Sequence, residues 1–589
     1  MKKSQIYLIA LAAVLCVAAA PFVLSAFSLT LLNFIGIYSL VAIGLVLVTG
    51  VTGIVSFGQA AFVGIAAYAT AWTTALNGYS PWLGLILGVI LTCSVAGLLG
   101  LATLRLKGHF LSLSTIAWGL AIAYLFGNVP WLGQHNGISS VPPISIGSVK
   151  LMESWQIYYL IWAFVVAAVV LAYNLLNSRV GRAMRTLRGG DTLVESLGVN
   201  AFRIKLISFI VAALPAAVSG WLYAHLSRFV SPVPFEAGMS IEYLMMAMIG
   251  GHGSIIGAIV GASFVTLLKN SIQDYLPLLV KGASGQLEIV AFAALFILFL
   301  QRARQGVVPY VRRYLPRPIP VTPPKAAELP RRIQPAPGTV LLDASQVERR
   351  FGGLVAVNQV SFDVRAGEIL GLIGPNGAGK TTMFNLLTGA LKLSAGEISF
   401  AGKSVNGRRQ YQIAQSGVAR TFQHVKLRPQ MTLIENVMLG TYPRTKTGFF
   451  RGAFKLNSAE ESSAYHEALF QLRRVGLGDK PYELAGNLSL GSQRVLEIAR
   501  ALAADPILLV LDEPAAGLRR QEKQQLAELL RSLRSENLTI LLVEHDMEFV
   551  MGLVDRIVVM DFGSKICEGV PKDVRNDARV QEAYLGAVA

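Results

Sequence analysis

Apolar runs of about twenty residues recur through the first half of the sequence, from about residue 5 to residue 301. A helix of this length spans the ~30 Å hydrocarbon core of a bilayer and satisfies its backbone hydrogen bonds internally. These runs account for a mean hydropathy of +0.52 and a hydrophobic content of 53%. The first half is therefore predicted to be a polytopic α-helical membrane domain. After about residue 340, strand and helix signals alternate as in a soluble α/β domain.

About ten membrane spans are predicted. They are 6–26, 30–50, 54–76, 81–104, 108–127, 155–177, 204–226, two within 241–268, and 287–301. The first also resembles a signal peptide, but more spans follow it at once, so an uncleaved span is expected. Basic residues lie mainly in the short loops, and the positive-inside rule then places both chain ends in the cytoplasm. Two cytoplasmic ends require an even number of spans. The region 241–268 must therefore cross the membrane and return, with a break at Ile249–Ser254.

The formal net charge of +17 follows the loops and the linker, so it indicates membrane topology and no nucleic-acid partner. Of the three cysteines, Cys16 and Cys93 lie in apolar runs. Without a CxxC pair or zinc-like His/Cys spacing, neither a disulfide framework nor a structural metal is predicted.

Three regions are expected: a membrane domain over 1–310, a linker over 311–339 and a soluble domain over 340–589. Eight prolines lie between Pro316 and Pro337. Such a composition favours extended backbone that bridges roughly 3 Å per residue, so the linker is expected to act as a tether.

The run from Gly374 to Thr382 reads GPNGAGKTT and matches the phosphate-binding GxxxxGK[ST] pattern. It lies between a predicted strand at 368–373 and a helical pattern, where backbone N–H groups and the helix dipole favour phosphate. The candidate ATP-binding residues here are Gly374, Asn376, Gly377, Gly379, Lys380, Thr381 and Thr382. The Lys380 amine can reach the β- and γ-phosphates, and the Thr381 hydroxyl can ligate Mg²⁺.

A second predicted strand, at 507–511, ends in Asp512 and Glu513. The Asp512 carboxylate suits Mg²⁺, and the Glu513 carboxylate suits a general base for attack of water on the γ-phosphate. A buried strand capped by solvated acids is the alternative. A third strand is predicted at 539–543.

Further motifs make the soluble half resemble the ATP-binding subunit of ATP-binding-cassette transporters. Leu488–Arg494 (LSLGSQR) resembles the signature motif, Gln423 the Q-loop and His545 the switch histidine, and Phe351 lies 23 positions before Gly374. The resemblance implies that the Phe351 ring stacks on adenine and that Gln423 links Mg²⁺ and the attacking water to the membrane domain. It implies that His545 orients the γ-phosphate, and that Ser489 and Gly491 contact the ATP of a second cassette.

Two departures from the family pattern stand out. Leu490 and Ser492 replace the usual Gly and Gln of the signature, leaving Ser489 and Gly491 in place. Arg519 occupies a position where the family has Asp or Asn, which bears on communication between the two ATP sites.

The membrane half resembles the permease subunits of branched-chain amino acid importers. The matching segments are Thr49–Ala61, Arg105–Phe110 and Ser178–Ala183. The loop from Arg182, with Glu195–Gly198, resembles the segment that docks into a cassette; a solvated basic loop is the alternative. Small residues around Gly50, Gly53 and Gly58 permit close helix packing or a break.

The polar residues of this segment leave two interpretations open. Ser56 and Gln59 could contact substrate or, as is more common, bond to neighbouring helices. No transport-site residue is therefore assigned from the sequence.

The resemblance implies an ATP-driven importer of branched-chain or other hydrophobic amino acids in the bacterial inner membrane, with its cassette in the cytoplasm. The implied partners are a periplasmic binding protein and a second permease and cassette, either an identical chain or, as we favour, related subunits. The alternatives are an importer of urea or short amides, an exporter-type half-transporter, and a membrane ATPase that transports nothing.

Overall fold

The computed structural model describes residues 17–106, 108–251, 253–279, 285–303, 305–312, 322–324 and 326–585. It divides into two compact units. The first, which we call the permease unit after the family it resembles, comprises Met1–Asn177, Phe202–Val321 and Ala453–Lys455. The second, which we call the cassette unit for the same reason, comprises Ser178–Ala201, Thr322–Gly452 and Leu456–Ala589.

The permease unit is helical. Its first helices are α1 (Ala26–Leu45), α2 (Gln59–Ala71), α3 (Pro81–Thr103), α4 (His109–Asn128) and α5 (Ser154–Leu176). The next two helices, α6 (Arg179–Thr186) and α7 (Asp191–Ser196), belong to the cassette unit. The permease unit continues with α8 (Ala201–Ser227), α9 (Ala237–Gly250), α10 (Ile255–Leu279), α11 (Gly285–Arg302) and α12 (Val307–Arg312). Short strands β1 (Ile138–Ser139), β2 (Ser145–Ile146), β3 (Val149–Lys150) and β4 (Phe229–Val230) lie between helices.

Within the described residues, six helices are long and apolar enough to cross a membrane, and α9 is a shorter apolar helix. The predicted count of ten spans is not confirmed. The predicted span 6–26 falls largely on residues 1–16, outside the described part, and the one at 54–76 begins with five non-helical residues before α2. The predicted break within 241–268 is found, since α9 ends at Gly250 and α10 begins at Ile255.

Small residues allow the inner helices to approach closely. A Cβ added at Gly44 would lie 2.5 Å from the Ala212 carbonyl oxygen, and one at Gly220 would lie 2.1 Å from that of Val63. All thirteen residues of α2 are buried. By contrast, only 22% of the most apolar window of α3 is buried, as expected of a lipid-facing helix. Van der Waals contact between backbones is a main source of helix association in lipid.

Two sheets form the centre of the cassette unit. Its strands are β5 (Val340–Phe351), β6 (Leu354–Arg365), β7 (Ile369–Ile373), β8 (Ala395–Phe400), β9 (Lys403–Ser404), β10 (Val418–Arg420), β11 (Leu508–Asp512), β12 (Thr539–Val543), β13 (Arg556–Asp561) and β14 (Ser564–Gly569). The six-stranded sheet has the order β10-β11-β12-β7-β13-β14, parallel except for β14. The predicted strands at 368–373, 507–511 and 539–543 are β7, β11 and β12, which are adjacent and fully buried.

The cassette helices are α13 (Lys380–Leu387), α14 (Gln410–Ser416), α15 (Leu433–Gly440), α16 (Phe449–Ala453), α17 (Ser458–Arg474), α18 (Leu490–Leu502), α19 (Arg520–Ser535), α20 (Met547–Met551), α21 (Pro571–Asn576) and α22 (Ala578–Leu585). Helices α15, α17 and α18 share a separate apolar core that includes Val437, Leu472 and Leu496. This helical subdomain carries the candidate signature motif at the start of α18.

Residues 322–324 and 326–339 of the predicted linker lie on the cassette, and we call them the strap. The Leu329 side chain is buried. The Arg444 guanidinium donates to the carbonyl oxygens of Leu329 and Pro330 at 3.1 Å, and the Arg332 guanidinium donates to that of Gln415 at 3.0 Å. This half of the linker is therefore held on the cassette at defined points.

Candidate nucleotide site and coupling surface

The phosphate-binding loop connects β7 to α13. Gly374, Gly377 and Gly379 have φ values of +154°, +87° and +95°, which a residue with a Cβ rarely adopts. A Cβ at Gly374 would also lie 2.1 Å from the Met560 carbonyl oxygen. Only glycine fits these positions, so the backbone folds into a cradle at the N-terminus of α13, where N–H groups favour phosphate.

Lys380 closes this cradle. Its ammonium donates to the carbonyl oxygens of Gly374 at 2.7 Å and Pro375 at 2.9 Å, and the residue is buried. Burial lowers the pKa of Lys380, while Asp512 and Glu513 oppose that shift. The predicted residues Asn376 and Thr381 are exposed, and Thr382 is half-buried, so the loop and first turn remain accessible to a phosphate chain.

Asp512 and Glu513 follow β11 at the edge where the parallel strands end. Asp512 is buried, and its N–H donates to the Thr421 hydroxyl at 3.3 Å. Burial raises the pKa of Asp512 to about 6, with Arg420 opposing the shift. Glu513 has a φ of +46°, and its N–H donates to the Val543 carbonyl oxygen at 2.8 Å. That hydrogen bond holds the strained turn in which Glu513 leaves the sheet.

The structure brings together the three residues predicted to be catalytic. The Gln423 amide donates to Glu513 Oε2 at 3.0 Å, and His545 Nδ1 lies 3.8 Å from the same oxygen. Neither Gln423 nor His545 is buried. A carboxylate with an amide and an imidazole beside it can accept a proton from water while its neighbours orient the reacting groups.

Glu544, which the sequence analysis did not single out, supports this arrangement. It is fully buried and accepts hydrogen bonds from the N–H groups of Ala515 at 2.7 Å and His545 at 3.0 Å. It thus ties the loop after Glu513 to the loop of the switch histidine. The sequence offered one sign of this role, because Glu544 directly follows the third predicted strand and directly precedes His545.

The candidate signature residues lie at the N-terminus of α18. The Ser489 hydroxyl caps the helix by accepting from the Ser492 N–H at 3.3 Å, so Ser492 has a local structural partner. Gly491 is buried, and a Cβ there would lie 2.4 Å from Glu522 Oε1. The prediction that Ser489 and Gly491 face a second cassette stays a prediction.

Arg494 of α18 connects the signature helix to the Q-loop. Its guanidinium donates to the carbonyl oxygen of Phe422 at 2.7 Å and also to that of Gln423. A cleft of about 480 Å³ between these segments is lined by Gln423, Leu490, Arg494 and Glu513, among others. Movement of α18 therefore acts directly on the backbone that positions Gln423. The sequence analysis missed Arg494 because its partners lie about seventy residues away.

Phe351 ends strand β5, opposite Leu354 of β6. Its ring is 42% exposed, and the Arg349 guanidinium lies 4.5 Å from the ring centroid. Two residues beyond Leu354, the Ala356 carbonyl oxygen would lie 2.4 Å from a Cβ at Gly379. The hairpin that carries Phe351 therefore approaches the phosphate-binding loop, and the exposed ring is available for stacking.

Arg519 precedes helix α19. Its N–H donates to Glu522 Oε2 at 2.9 Å, and Glu522 also faces Gly491. The loop bearing this departure from the family pattern is thus joined to the signature through one carboxylate.

The loop at 178–201 belongs to the cassette unit, where two of its arginines form ion pairs. Arg182 is buried and forms a two-pronged ion pair with Glu461, at 2.5 and 3.2 Å. Arg185 lies 3.0 Å from Glu435; burial opposes ionisation of Glu435, but Arg185 and Thr432 lower its pKa overall. These pairs favour the docking interpretation over a solvated basic loop.

Two further contacts fix the same loop. The Arg179 guanidinium lies 3.5 Å from the centroid of the Tyr442 ring, and the Gln415 amide donates to the Gly198 carbonyl oxygen at 2.8 Å. Gly198 adopts a φ of +73°, and a Cβ there would lie 2.9 Å from Pro443 Cγ. The predicted Glu195–Gly198 segment therefore meets α14 and the turn that follows α15.

A cassette with a phosphate-binding loop and a signature-like helix, in one chain with a unit of long apolar helices, defines the class of ATP-binding-cassette transporters. Comparisons with known proteins agree. The permease component of branched-chain amino acid transport systems matches residues 27–302, the ABC transporter family matches 357–516, and branched-chain amino acid ATP-binding cassette transporters match 564–589.

Two curated relatives of the cassette are ATP-binding proteins of branched-chain amino acid transport. The high-affinity branched-chain amino acid transport ATP-binding protein LivG of Salmonella typhimurium is 47% identical over 249 residues, which are 42% of this chain and 98% of the relative. BraF of Pseudomonas aeruginosa, with the same description, is 43% identical over the same shares. Among solved structures, a nucleotide-free ATP-binding cassette from an ABC transporter is 30% identical. The match covers 42% of this chain and 100% of that cassette, with a TM-score of 0.38.

The chain belongs to the branched-chain amino acid ABC transporter family and carries a permease and an ATP-binding component in one polypeptide. The predicted fold class, a helical membrane domain followed by an ABC cassette, is confirmed.

Proposed function

We propose that this protein is the permease and ATPase subunit of an importer that moves branched-chain amino acids into the cytoplasm at the expense of ATP. The observation that carries this proposal is the combination in one chain of the permease family match and a cassette with 47% identity to LivG. The geometry supports coupling, because the loop at 178–201 and the signature helix α18 belong to the same unit.

We propose that ATP binds in the cradle at Gly374–Gly379, with Lys380 on its phosphates and Phe351 on its adenine. Glu513 accepts the proton of the attacking water, which Gln423 helps to orient. His545, beside Glu513, orients the γ-phosphate. The supporting observations are the 3.0 Å hydrogen bond between Gln423 and Glu513 and the approach of His545 to the same oxygen.

Mg²⁺ is the proposed second cofactor. The Thr381 hydroxyl, the Asp512 carboxylate and the Gln423 amide oxygen form an all-oxygen donor set, which suits this hard cation. When bound, Mg²⁺ neutralises phosphate charge. Asp512 fits the role because it is a buried carboxylate at the phosphate-facing end of β11.

The proposed assembly contains two permease domains and two cassettes, so that Ser489 and Gly491 of each cassette contact the ATP held by the other. The second set is an identical chain or, as we favour, a related permease and ATPase. A periplasmic binding protein delivers the amino acid, and the location is the bacterial inner membrane with the cassette in the cytoplasm. The supports are the membrane helices and the family match.

We also propose the domain limits 1–310, 311–339 and 340–589. The family matches at 27–302 and 357–516 lie inside the first and third regions.

The test is solute uptake by the purified complex, reconstituted in proteoliposomes with the proteins that co-purify with it and its binding protein. ATP-dependent accumulation of labelled leucine is expected, whereas labelled urea should not accumulate. Accumulation of urea instead would assign the short-amide alternative, outward movement of leucine would assign an exporter, and ATP hydrolysis without movement of either solute would refute transport.

A further inference from the structure

The permease unit contains a break between α1 and α2. After α1 the chain forms a π-helical turn at Val46–Val51, and residues 53–58 are not helical before α2 begins at Gln59. Gly53 has a φ of +81°. Non-helical backbone at membrane depth is tolerated where it is buried in protein or lines a cavity, and transporters bind substrates at such breaks.

Neighbouring polar groups satisfy part of the backbone of this break. The Thr49 hydroxyl donates to the Ile54 carbonyl oxygen at 2.9 Å. The Phe57 N–H donates to the Thr115 hydroxyl, and the Ala60 N–H donates to the Ser240 hydroxyl, both at 3.1 Å. The break is thus held in place by side chains from two other helices, α4 and α9.

The second break of the unit lies against the first. A Cβ at Gly50 would lie 2.7 Å from the Gly253 nitrogen, and Gly253 belongs to the turn between α9 and α10. Two interrupted segments therefore meet at one place inside the helical unit.

Side chains at the first break are buried without partners. Ser56 and Gln59 are 0% exposed, and the structure shows no hydrogen-bond partner among the described residues for Ser56 Oγ or for either polar atom of Gln59. In the described part of the protein, Gln59 is the single side chain with two polar atoms that are both buried and without a hydrogen-bond partner. Trp118 Nε1 is also unpartnered, and the Trp118 ring would lie 2.1 Å from a Cβ at Gly58.

Some other buried polar atoms of the permease unit also lack partners within the described residues, among them the Tyr68 hydroxyl, but two buried hydroxyls, on α8 and α2, are bonded. The Ser219 hydroxyl donates to the Ile37 carbonyl oxygen at 3.0 Å, and the Thr70 hydroxyl donates to that of Ala66 at 2.7 Å. A role in bonding neighbouring helices, the more common role for such residues, would give Ser56 and Gln59 similar bonds. Their absence points to a partner outside the chain.

The chemistry of the break indicates what that partner is. Gln59 begins the thirteen-residue helix α2, whose N-terminal N–H groups and dipole favour a carboxylate. Gln59 Nε2 can donate to the carboxylate while Oε1 accepts from an ammonium, which are the two groups of one α-amino acid. The Phe62 ring packs on Trp118 with centroids 5.0 Å apart and offers an apolar surface to an aliphatic side chain.

We propose that Ser56, Gln59 and Trp118, with the N-terminus of α2, form the binding site of the transported α-amino acid. The proposal rests on the proposed function as an amino acid importer and deepens it by assigning the head-group contacts. Because Ser56 and Gln59 are fully buried, substrate reaches them when the surrounding helices separate, as alternating access requires.

The test compares Gln59→Leu with the wild type in the reconstituted complex. The variant keeps a side chain of similar size and removes both unpartnered polar atoms, so its unfolding temperature should equal or exceed that of the wild type. Leucine uptake should fall at least ten-fold, while ATP hydrolysis in the absence of leucine stays within two-fold. A structural role would instead lower the unfolding temperature.

Two further variants keep the test decisive. Ser56→Ala should weaken uptake in the same direction, and it remains informative if Gln59→Leu fails to fold. Thr70→Val, on the same helix, removes a hydroxyl that is already bonded to its own helix and should transport leucine like the wild type.

The outcomes separate the two proposals. If the wild type imports leucine and both Gln59→Leu and Ser56→Ala do so equally well, the site assignment is overturned and the importer stands. If the wild type imports urea or nothing, the proposed function and the site fail together. Loss of uptake with retained stability supports both.

Discussion

The cassette and the permease differ in whether the polar side chains of their proposed sites are hydrogen-bonded within the chain. In the cassette, Glu513 is bonded to Gln423 and Lys380 to its own loop, so the site is ordered by contacts within the chain. In the permease, Gln59 is buried with neither polar atom bonded within the described residues. A site built for one invariant ligand can be preorganised, whereas a transport site must bind its ligand and release it.

The comparison predicts the largest effect for the preorganised site. Glu513→Gln removes the proton acceptor and keeps the shape, so ATP should still bind while steady-state hydrolysis falls by about 10²–10⁴-fold. The measurement is phosphate release by the reconstituted complex, with ATP binding measured in parallel. Glu528→Gln, at an exposed position of α19, is the matched control; unchanged hydrolysis in Glu513→Gln would refute the assignment.

A smaller but selective effect is expected at the coupling surface. Glu461→Gln leaves the buried guanidinium of Arg182 without its carboxylate, and breaking a buried pair costs about 3–5 kcal/mol. Leucine uptake should fall by about 10–100-fold, while hydrolysis by the uncoupled cassette persists. The measurement is the ratio of leucine imported to ATP hydrolysed. Glu582→Gln, at an exposed position of α22, is the control, and an unchanged ratio in Glu461→Gln would show that the docked loop carries no coupling.

The pH dependence of stability sharpens the description of the nucleotide site. Since burial raises the pKa of Asp512 to about 6, its charged form destabilises the folded state above that pH. Asp512→Asn should therefore stabilise the nucleotide-free protein at pH 8 by about 2 kcal/mol, and the gain should shrink as the pH falls through 6 towards 4. Thermal unfolding without nucleotide or Mg²⁺, measured at several pH values, checks this; a gain that is independent of pH would contradict it.

The smallest effect is expected for a cut in the chain between residues 313 and 320. Such a cut leaves the strap attached to the cassette, and the docked loop at 178–201 keeps its ion pairs. Co-expressed halves should therefore co-purify and retain leucine uptake within about two-fold. Complete separation of the halves after the cut would show that the linker does more than tether.

The sequence was most informative where a motif is local in the chain. The phosphate-binding loop, the buried strands β7, β11 and β12 and the break after Gly250 were all predicted close to their observed limits. Positions such as Gly374 and Gly379 demand backbone that only glycine adopts, so the residue type itself encodes the geometry.

Contacts between distant segments were not predictable in the same way. Arg494 reaches the Q-loop, Glu461 binds Arg182 across 279 positions, and Glu544 ties two loops together. Each is an ordinary charged residue until the fold supplies its partner. For Gln59, the sequence left two roles open, and the informative observation was a missing bond, which only packing can show.

The strap has a consequence for assembly. Because a covalent connection turns association of a permease and its cassette into an intramolecular event, a short connection gives an effective local concentration in the millimolar range. A free ATPase subunit from a related system would have to compete against that concentration. Transporters made of separate subunits can exchange their ATPases. The fused cassette suppresses such exchange for the permease to which it is joined.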